Sequence, residues 1–439
     1  MQNYSLKSLN NLKLTKLELS IYQTVKLREL IKFSQIYSPW YRDKLGSLDP
    51  EEVTLDNMHQ LIPSLSKRDY IDNWDDICTN RLLKKKDVIE FLEVEREKKF
   101  STYLFKNEYH IISSSGSGGI AGIFLYNKEE WLQYCSQYSR YNFIYSLKDS
   151  NIANLTVKSQ LFASPRVSKT IFSSSSDREI INYQEFDFMG DPENTINKLN
   201  QMQPSVLITL PSILQKLCCL KESSELRINP KIIKVSAEPL TPGLRQRAMS
   251  IFSQSKLYNI YGGSEGFSAV NCANNPSKMH LAEDFCIFEL NNKSHINVTN
   301  LYLKTTPLLR FQIDDKLERM NSIKCEDCGT YFSTIKEPQG RHSQDFIYSN
   351  GITITPLEIT EIMNHYPQIT EFQAVQTKQG ICLYITNSSS SLIQTIRSLL
   401  KDLASKKSLD DLNIMVHYKE SIERKPSGKL VQYIPLKSQ

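Results

Sequence analysis

Apolar residues recur at helical spacing from Leu17 to Ile36, and the first 60 residues read as largely helical until Ser38-Pro39-Trp40-Tyr41 breaks the period. Between about 150 and 262 the pattern changes to short β-type runs alternating with helical stretches. Ser205–Thr209 is followed by Pro211 and a helix-like Ile213–Leu220, and Ile232–Val235 leads through Glu238-Pro239 to a helix beginning near Pro242. Lys256–Ile260 ends in a glycine turn. This rhythm predicts a mainly parallel sheet covered by helices, with ligands bound at the carboxyl ends of its strands. Residues 284–313 read as strand-rich, and the chain changes character after Gln339-Gly340-Arg341. Beyond that point, helices near 357–365 and 391–405 and strands near 371–376 and 381–386 suggest a small α+β unit. The predicted class is α/β: a large multi-layer domain over 1–340 and a small one over 341–439.

Composition supports this division and narrows the partners. A chain of 439 residues exceeds one ordinary core. Its 40% hydrophobic and 23% charged content is that of a soluble globular protein rather than a disordered one. The 53 basic and 48 acidic residues are scattered, and the one basic run, Lys84–Lys86, has no aromatics interleaved. It reads as a solvated helix face, so no nucleic-acid partner is expected. Nothing near the N-terminus reads as a signal peptide and no 18-residue apolar run occurs, so no membrane partner is expected. Nine irregularly spaced cysteines point to reduced thiols in a cytoplasm rather than a disulfide framework.

Four segments carry candidate chemistry. Ser113-Ser-Ser-Gly-Ser-Gly-Gly119 follows the β-like His110-Ile111-Ile112. Small residues let backbone amides approach phosphate oxygens, although no Gly-Lys-Ser/Thr follows and the glycine spacing of a nucleophile elbow is absent. By itself this segment reads equally well as a surface loop. Tyr261-Gly-Gly-Ser-Glu265 closes a strand, which sets a carboxylate where Mg²⁺ could sit between phosphates and offers the Tyr261 ring to a base. Ser427-Gly-Lys429 offers a cation on a glycine-bearing loop, in a tail where lysines are common anyway. Cys325-Glu-Asp-Cys328 is half of a zinc site, and Cys272 and His280 can complete a closed Cys3His tetrahedron. The competing reading turns His280 toward an active site and leaves the cysteines as buried apolar side chains. Tyr134, Tyr138 and Tyr141 stand at helical spacing, most simply as core packing.

Taken in order, these motifs resemble the adenylate-forming superfamily, which includes the acyl-CoA synthetases. Within it they are most similar to the phenylacetate-CoA ligase branch and its coenzyme F390 synthetase-related and capsular-polysaccharide-type members. The stretch from Ser236 to Glu289 carries the most specific likeness, and Tyr37–Arg42 and Ile62–Lys67 extend it. The resemblance implies that Ser114, Ser115, Gly116, Ser117, Gly118 and Gly119 embrace the β- and γ-phosphates of ATP. Ala237, Glu238 and Pro239 would lie along the adenine, Tyr261 and Gly262 beside the nucleotide, Ser264 against phosphate, and Glu265 on Mg²⁺. Pro307–Asp315 resembles the family's Pro-Leu-Ile-Arg-Tyr-Arg-x-Gly-Asp, which gives Asp315 the ribose hydroxyls with Arg310 nearby. Arg341 opens the interdomain hinge, Gln344 and Asp345 are further hinge candidates, and Lys429, on the mobile C-terminal domain, stabilises the adenylation transition state. Tyr134, Tyr138, Tyr141 and Gly263 would border an acyl pocket suited to an aromatic acid.

The departures count as well. Gly118 replaces a threonine and Ile120-Ala121 replace the usual Lys-Pro of the phosphate loop, Asp314 replaces a glycine, and the hinge is one residue longer. The implied reaction is ATP-dependent conversion of a small carboxylic acid to acyl-AMP with release of pyrophosphate, then transfer to the thiol of coenzyme A. An amine or a carrier protein is the alternative acceptor, and a non-catalytic nucleotide-binding scaffold is the alternative of another class. Mg²⁺ and a structural Zn²⁺ are the implied metals, and a homodimer is left open.

Overall fold

The computed structural model describes residues 1–97, 104–114, 122–144, 150–156, 163–173, 181–188, 190–290, 296–320, 323–348, 351–366, 368–369, 371–423 and 430–436. Ser115–Gly119 and Lys429 lie outside them. The chain forms two compact units, one of residues 1–186, 258–313 and 317–337, the other of 187–257, 314–316 and 338–439.

The first unit opens with helices Gln2–Asn11, Lys16–Tyr37 and Pro39–Leu45. Thr15 and Glu18 form a capping box at the start of the long helix. Ser38 ends that helix and caps the next through its hydroxyl on the Tyr41 amide, which is why the period breaks there. A hairpin pairs His110–Ser113 with Ile123–Tyr126, and the helix Lys128–Ile144 follows. The strand-rich expectation for 284–313 holds as an antiparallel sheet of Cys286–Leu290, Ile296–Asn300 and Phe311–Ile313.

Beyond the segment read as parallel, the pairing in this unit is antiparallel. Past the glycine turn, Tyr261 pairs antiparallel with Ala269, and Val270 pairs antiparallel with His280. Thr334–Ile335 and Arg319–Met320 continue the antiparallel run. A short turn can only return a strand beside itself, whereas parallel neighbours need a crossover of a dozen residues or more.

The second unit contains such a crossover. Val206–Thr209 and Ile232–Ser236 pair parallel, joined by the helix Pro211–Glu222. Proline opens this helix and the helix Pro242–Ile251, where its missing N–H would have no partner. Residues from Phe346 to Tyr433 share one apolar core that includes Ile359, Leu383, Ile396 and Ile414. Around it lies a four-stranded mixed sheet, with Gly380–Ile385 antiparallel to Phe372–Thr377 and parallel to Asn413–Tyr418. The helix Ser390–Lys406 makes that parallel crossover. All nine cysteines are free thiols. Among the described residues no helix is long and apolar enough to cross a membrane.

Candidate functional site

The strand Lys256–Gly262 runs into Gly263-Ser264-Glu265-Gly266, and the chain returns through Ser268–Asn271. Gly266 sits at φ +90°, and a Cβ there would strike the Asn300 amide. A Cβ on Gly263 would strike the Phe267 ring and the Glu265 carboxylate. Four consecutive carbonyls of the turn each accept a side-chain hydrogen bond from outside it. Tyr134 donates to Gly263 O at 3.0 Å, Tyr126 to Ser264 O at 2.5 Å, Asn300 to Glu265 O at 2.9 Å and Gln137 to Gly266 O at 2.9 Å. The main chain is thereby fixed from outside the turn, and the side chains of Ser264 and Glu265 are both half-buried.

The three tyrosines expected at an acyl pocket divide between two surroundings. Tyr134 and Tyr138 face the turn, Tyr138 reaching Phe267 O at 3.4 Å and Tyr134 stacking on Tyr126 with centroids 5.3 Å apart. Burial pushes both phenols up, so they stay neutral donors. Tyr141 instead lies under the Arg140 guanidinium, 5.6 Å from its ring. Arg140 forms a fully buried ion pair with Asp284 at 2.9 Å, which Asn11 also reaches at 3.0 Å. Tyr141 thus belongs to a buried electrostatic staple, not to the turn.

Arg310 likewise turns inward. Its Nε and Nη2 grip the Glu289 carboxylate at 2.9–3.0 Å, and its Nη1 donates to the carbonyls of His59 and Ile62. It clamps the first unit rather than presenting a charge for nucleotide. Ser114 stands at the neck of the serine/glycine loop, where its amide donates to Gly122 O and its hydroxyl accepts from Gly122 N at 2.7 Å. Lys67 donates to the same hydroxyl at 3.3 Å, a cation that spacing alone did not connect to the loop.

In the second unit, Ala237 is a non-glycine residue held at φ +69°, a strained geometry at the start of Ala-Glu-Pro. The Glu238 carboxylate accepts from the amide and hydroxyl of Ser212 at 2.9 and 3.0 Å, close to the N-terminus of the helix Pro211–Glu222. Asp315 Oδ1 accepts from Arg341 Nε at 3.1 Å, and Lys316 pairs with the nine-tenths-buried Asp345. Gln344 closes the short turn between them through Arg341 O. Arg341 and Asp345 are therefore each tied to the Asp314–Lys316 strip, and Gln344 to Arg341.

The four zinc-ligand candidates come together in the first unit, with the Sγ atoms of Cys272, Cys325 and Cys328 and a ring nitrogen of His280 all within 4.8 Å of one another. His280 is buried in this cluster. Sequence reasoning found Cys325 and Cys328 from their spacing and added Cys272 and His280 from the segment upstream, but it missed Tyr126, Gln137 and Asn300. The last two act on carbonyls 129 and 35 positions away, so no local pattern announces them.

No protein-family model matches the chain. Protein CapK of Staphylococcus aureus is 24% identical over 430 residues, covering 93% of this chain and 87% of that protein. Among solved structures, 2-hydroxyisobutyryl-CoA ligase in the postadenylation state with R3-HIB-AMP superposes at TM-score 0.72 and 15% identity, over 97% of this chain and 91% of that one. The open conformation of that ligase with 2-HIB-AMP and CoA gives 0.60 at 15% identity, over 97% and 93%. An anthranilate CoA ligase with anthranoyl-AMP gives 0.51 at 12% identity, over 73% and 65%.

Proposed function

We propose that this chain, which has the fold of the adenylate-forming superfamily, activates a small carboxylic acid with ATP. The carboxylate attacks the α-phosphate, acyl-AMP and pyrophosphate result, and the thiol of coenzyme A then takes the acyl group. The observation that carries this reading is the turn Gly263–Gly266, whose carbonyls are all held from outside it. Ser264 and Glu265 are thus presented on a backbone shaped before any ligand arrives, and donors fixed in advance stabilise developing charge without a cost of reorganisation.

Ser264 and the Ser114–Gly119 loop hold the phosphates, Ala237–Pro239 and Tyr261 flank the adenine, and Asp315, oriented by Arg341, takes the ribose hydroxyls. A single half-buried carboxylate at Glu265 suits Mg²⁺, which is commonly held by one or two carboxylates with phosphate oxygens and water completing its shell. When bound, Mg²⁺ supplies neutralisation of phosphate charge. Residues 341–439 form the mobile domain, hinged at Arg341–Asp345, and Lys429 brings its ammonium to the transferring phosphate. Tyr134 and Tyr138 border the acid, which favours an aromatic one.

The test is pyrophosphate release over a panel of aryl and alkyl acids, with and without coenzyme A. Acid-dependent release with an acyl-CoA product is the expected outcome. Release without a thioester redirects the acyl group to an amine or a carrier protein, and ATP binding without any release ends the enzymatic reading. Lys429→Ala should lower acid-dependent exchange by about 10²-fold or more with an unchanged melting temperature. Near-normal exchange in that variant removes the lysine from the mechanism.

A further inference from the structure

We infer that Cys272, His280, Cys325 and Cys328 bind one zinc ion in a closed, structural Cys3His site. The inference does not depend on the adenylation reading, because none of these four residues is given a role there. Three thiols and an imidazole converge from two stretches of chain about fifty positions apart. Cys272 directly follows the strand Ser268–Asn271, and its amide donates to Lys278 O at 2.9 Å. His280 lies mid-strand in Met279–Leu281, opposite Val270. Cys325 and Cys328 lie on a tight knuckle closed by Gly329 N on Cys325 O at 2.8 Å, with Gly329 at φ +77°.

The spacing is that of a tetrahedron. Zn–S and Zn–N bonds of about 2.3 and 2.0 Å put neighbouring ligand atoms roughly 3.5–3.8 Å apart. Here Cys272 Sγ and Cys325 Sγ are 4.0 Å apart, and Cys328 Sγ is 3.3 Å from His280 Nε2. The imidazole is already oriented for the task. Its Nδ1 lies 3.3 Å from the Phe332 carbonyl, so the proton belongs on Nδ1 and the Nε2 lone pair faces the thiols.

An outer shell steadies the knuckle against the first stretch. Lys278 pairs with Asp327, Asn275 donates to the same carboxylate at 3.2 Å, and Asn274 donates to Asp327 O at 2.7 Å. Three soft thiolates with an imidazole select zinc over magnesium or calcium. Four protein ligands leave no position for substrate, which makes the ion structural. Cys328, the exposed member, is the side from which metal enters. A single disulfide between Cys272 and Cys325 would account for two of these groups and leave the Cys328–His280 approach without a purpose.

The experiment is elemental analysis of the untagged protein, purified without chelator from zinc-supplemented culture. About one zinc per chain is expected, with cysteine reagents slow on three thiols until a chelator is added. Cobalt substitution of the intact protein should give the intense visible bands of a tetrahedral site and a near-ultraviolet charge-transfer band sized for three thiolates. In Cys328→Ser, whose position is exposed and tolerant of the change, that band should fall by about a third or the metal should be lost. Metal-free protein with all four groups intact and an unchanged melting temperature overturns the site. So does a Cys272–Cys325 disulfide found by mass spectrometry in freshly lysed cells.

Discussion

Two turns of the first unit reverse the chain on a left-handed glycine, Gly266 at φ +90° and Gly329 at φ +77°. Each closes through one backbone hydrogen bond, Gly266 N on Gly263 O and Gly329 N on Cys325 O, yet the rest of their fastening differs. In the Gly263–Gly266 turn the main chain is anchored. Tyr134, Tyr126, Asn300 and Gln137 take its four carbonyls in order, each from outside the turn. In the Cys325–Gly329 knuckle one carbonyl, that of Asp327, takes an outside side-chain donor, from Asn274, and the cysteine side chains converge. A turn that serves a ligand has its backbone fixed by the rest of the fold, so its side chains need not hold it. A turn that serves the fold uses its side chains as the fastening. Buried carbonyls cost roughly 1–3 kcal/mol each when left without a donor, so the first arrangement rests on its four outside donors.

Exchanging the roles of side chain and backbone breaks this contrast where it is real. The largest effect is expected from Glu265→Gln, which keeps the shape and removes the charge. Acid-dependent pyrophosphate exchange should fall by about 10²–10³-fold, as for loss of one preorganised electrostatic contact, while the melting temperature stays within a degree or so. A matched loss of stability would show that Glu265 is part of the fastening after all. Next comes Gly266→Ala, which keeps every charge and attacks the backbone. The left-handed strain of roughly 1–2 kcal/mol adds to the displacement of Asn300, whose amide a Cβ would strike, so a total near 3 kcal/mol is expected. Both melting temperature and exchange should drop together, and a change in exchange alone would separate the turn's shape from the unit's stability.

How much of this was legible in the sequence depended on whether the cause was local. The helix Lys16–Tyr37 and its stop at Ser38 were readable because period, cap and proline all lie within a few residues. The crossover from Val206 to Ile232 was readable for the same reason, with Pro211 marking the helix between. The cysteine cluster was readable because Cys-x2-Cys spacing is itself geometric and only His280 and Cys272 had to be supplied. Strand direction after Gly262 was not, since a strand's alternation is the same in either direction and the turn decides. Tyr141 and Arg310 have surroundings that their motifs did not announce, for a common reason. Each sits at the expected motif position or spacing, but a carboxylate distant in sequence, Asp284 or Glu289, shapes its surroundings. Lys67 and Asn300 act at a distance in sequence that no pattern within one element could carry.

A smaller effect sharpens the first half of the comparison. Tyr134→Phe removes the donor to Gly263 O but leaves the ring stacked on Tyr126. Tyr138 Oη lies 3.4 Å from the lost hydroxyl and can move toward the carbonyl, so the cost should sit near the lower end, about 1 kcal/mol. Exchange should fall a few-fold at most. A loss as large as that of Glu265→Gln would mean that the hydroxyl meets the acid directly and that Tyr134 is more than an anchor.

The smallest effect belongs to Gly329→Ala, and it tests the second half. A Cβ at Gly329 meets only the Lys324 side chain, at 3.8 Å, so no collision is added to the left-handed strain. The cost should be about 1 kcal/mol, roughly a third of that at Gly266, for the same substitution at nearly the same φ. Zinc content should stay near one per chain, because the thiols and imidazole, not the backbone, define the knuckle once metal is bound. The pair of alanine variants therefore separates two kinds of turn by one number, the ratio of their losses in melting temperature. A ratio near one, or a knuckle that releases its metal on so slight a change, would mean that both turns are held by their backbones and that the distinction between ligand-serving and fold-serving turns does not apply to this chain.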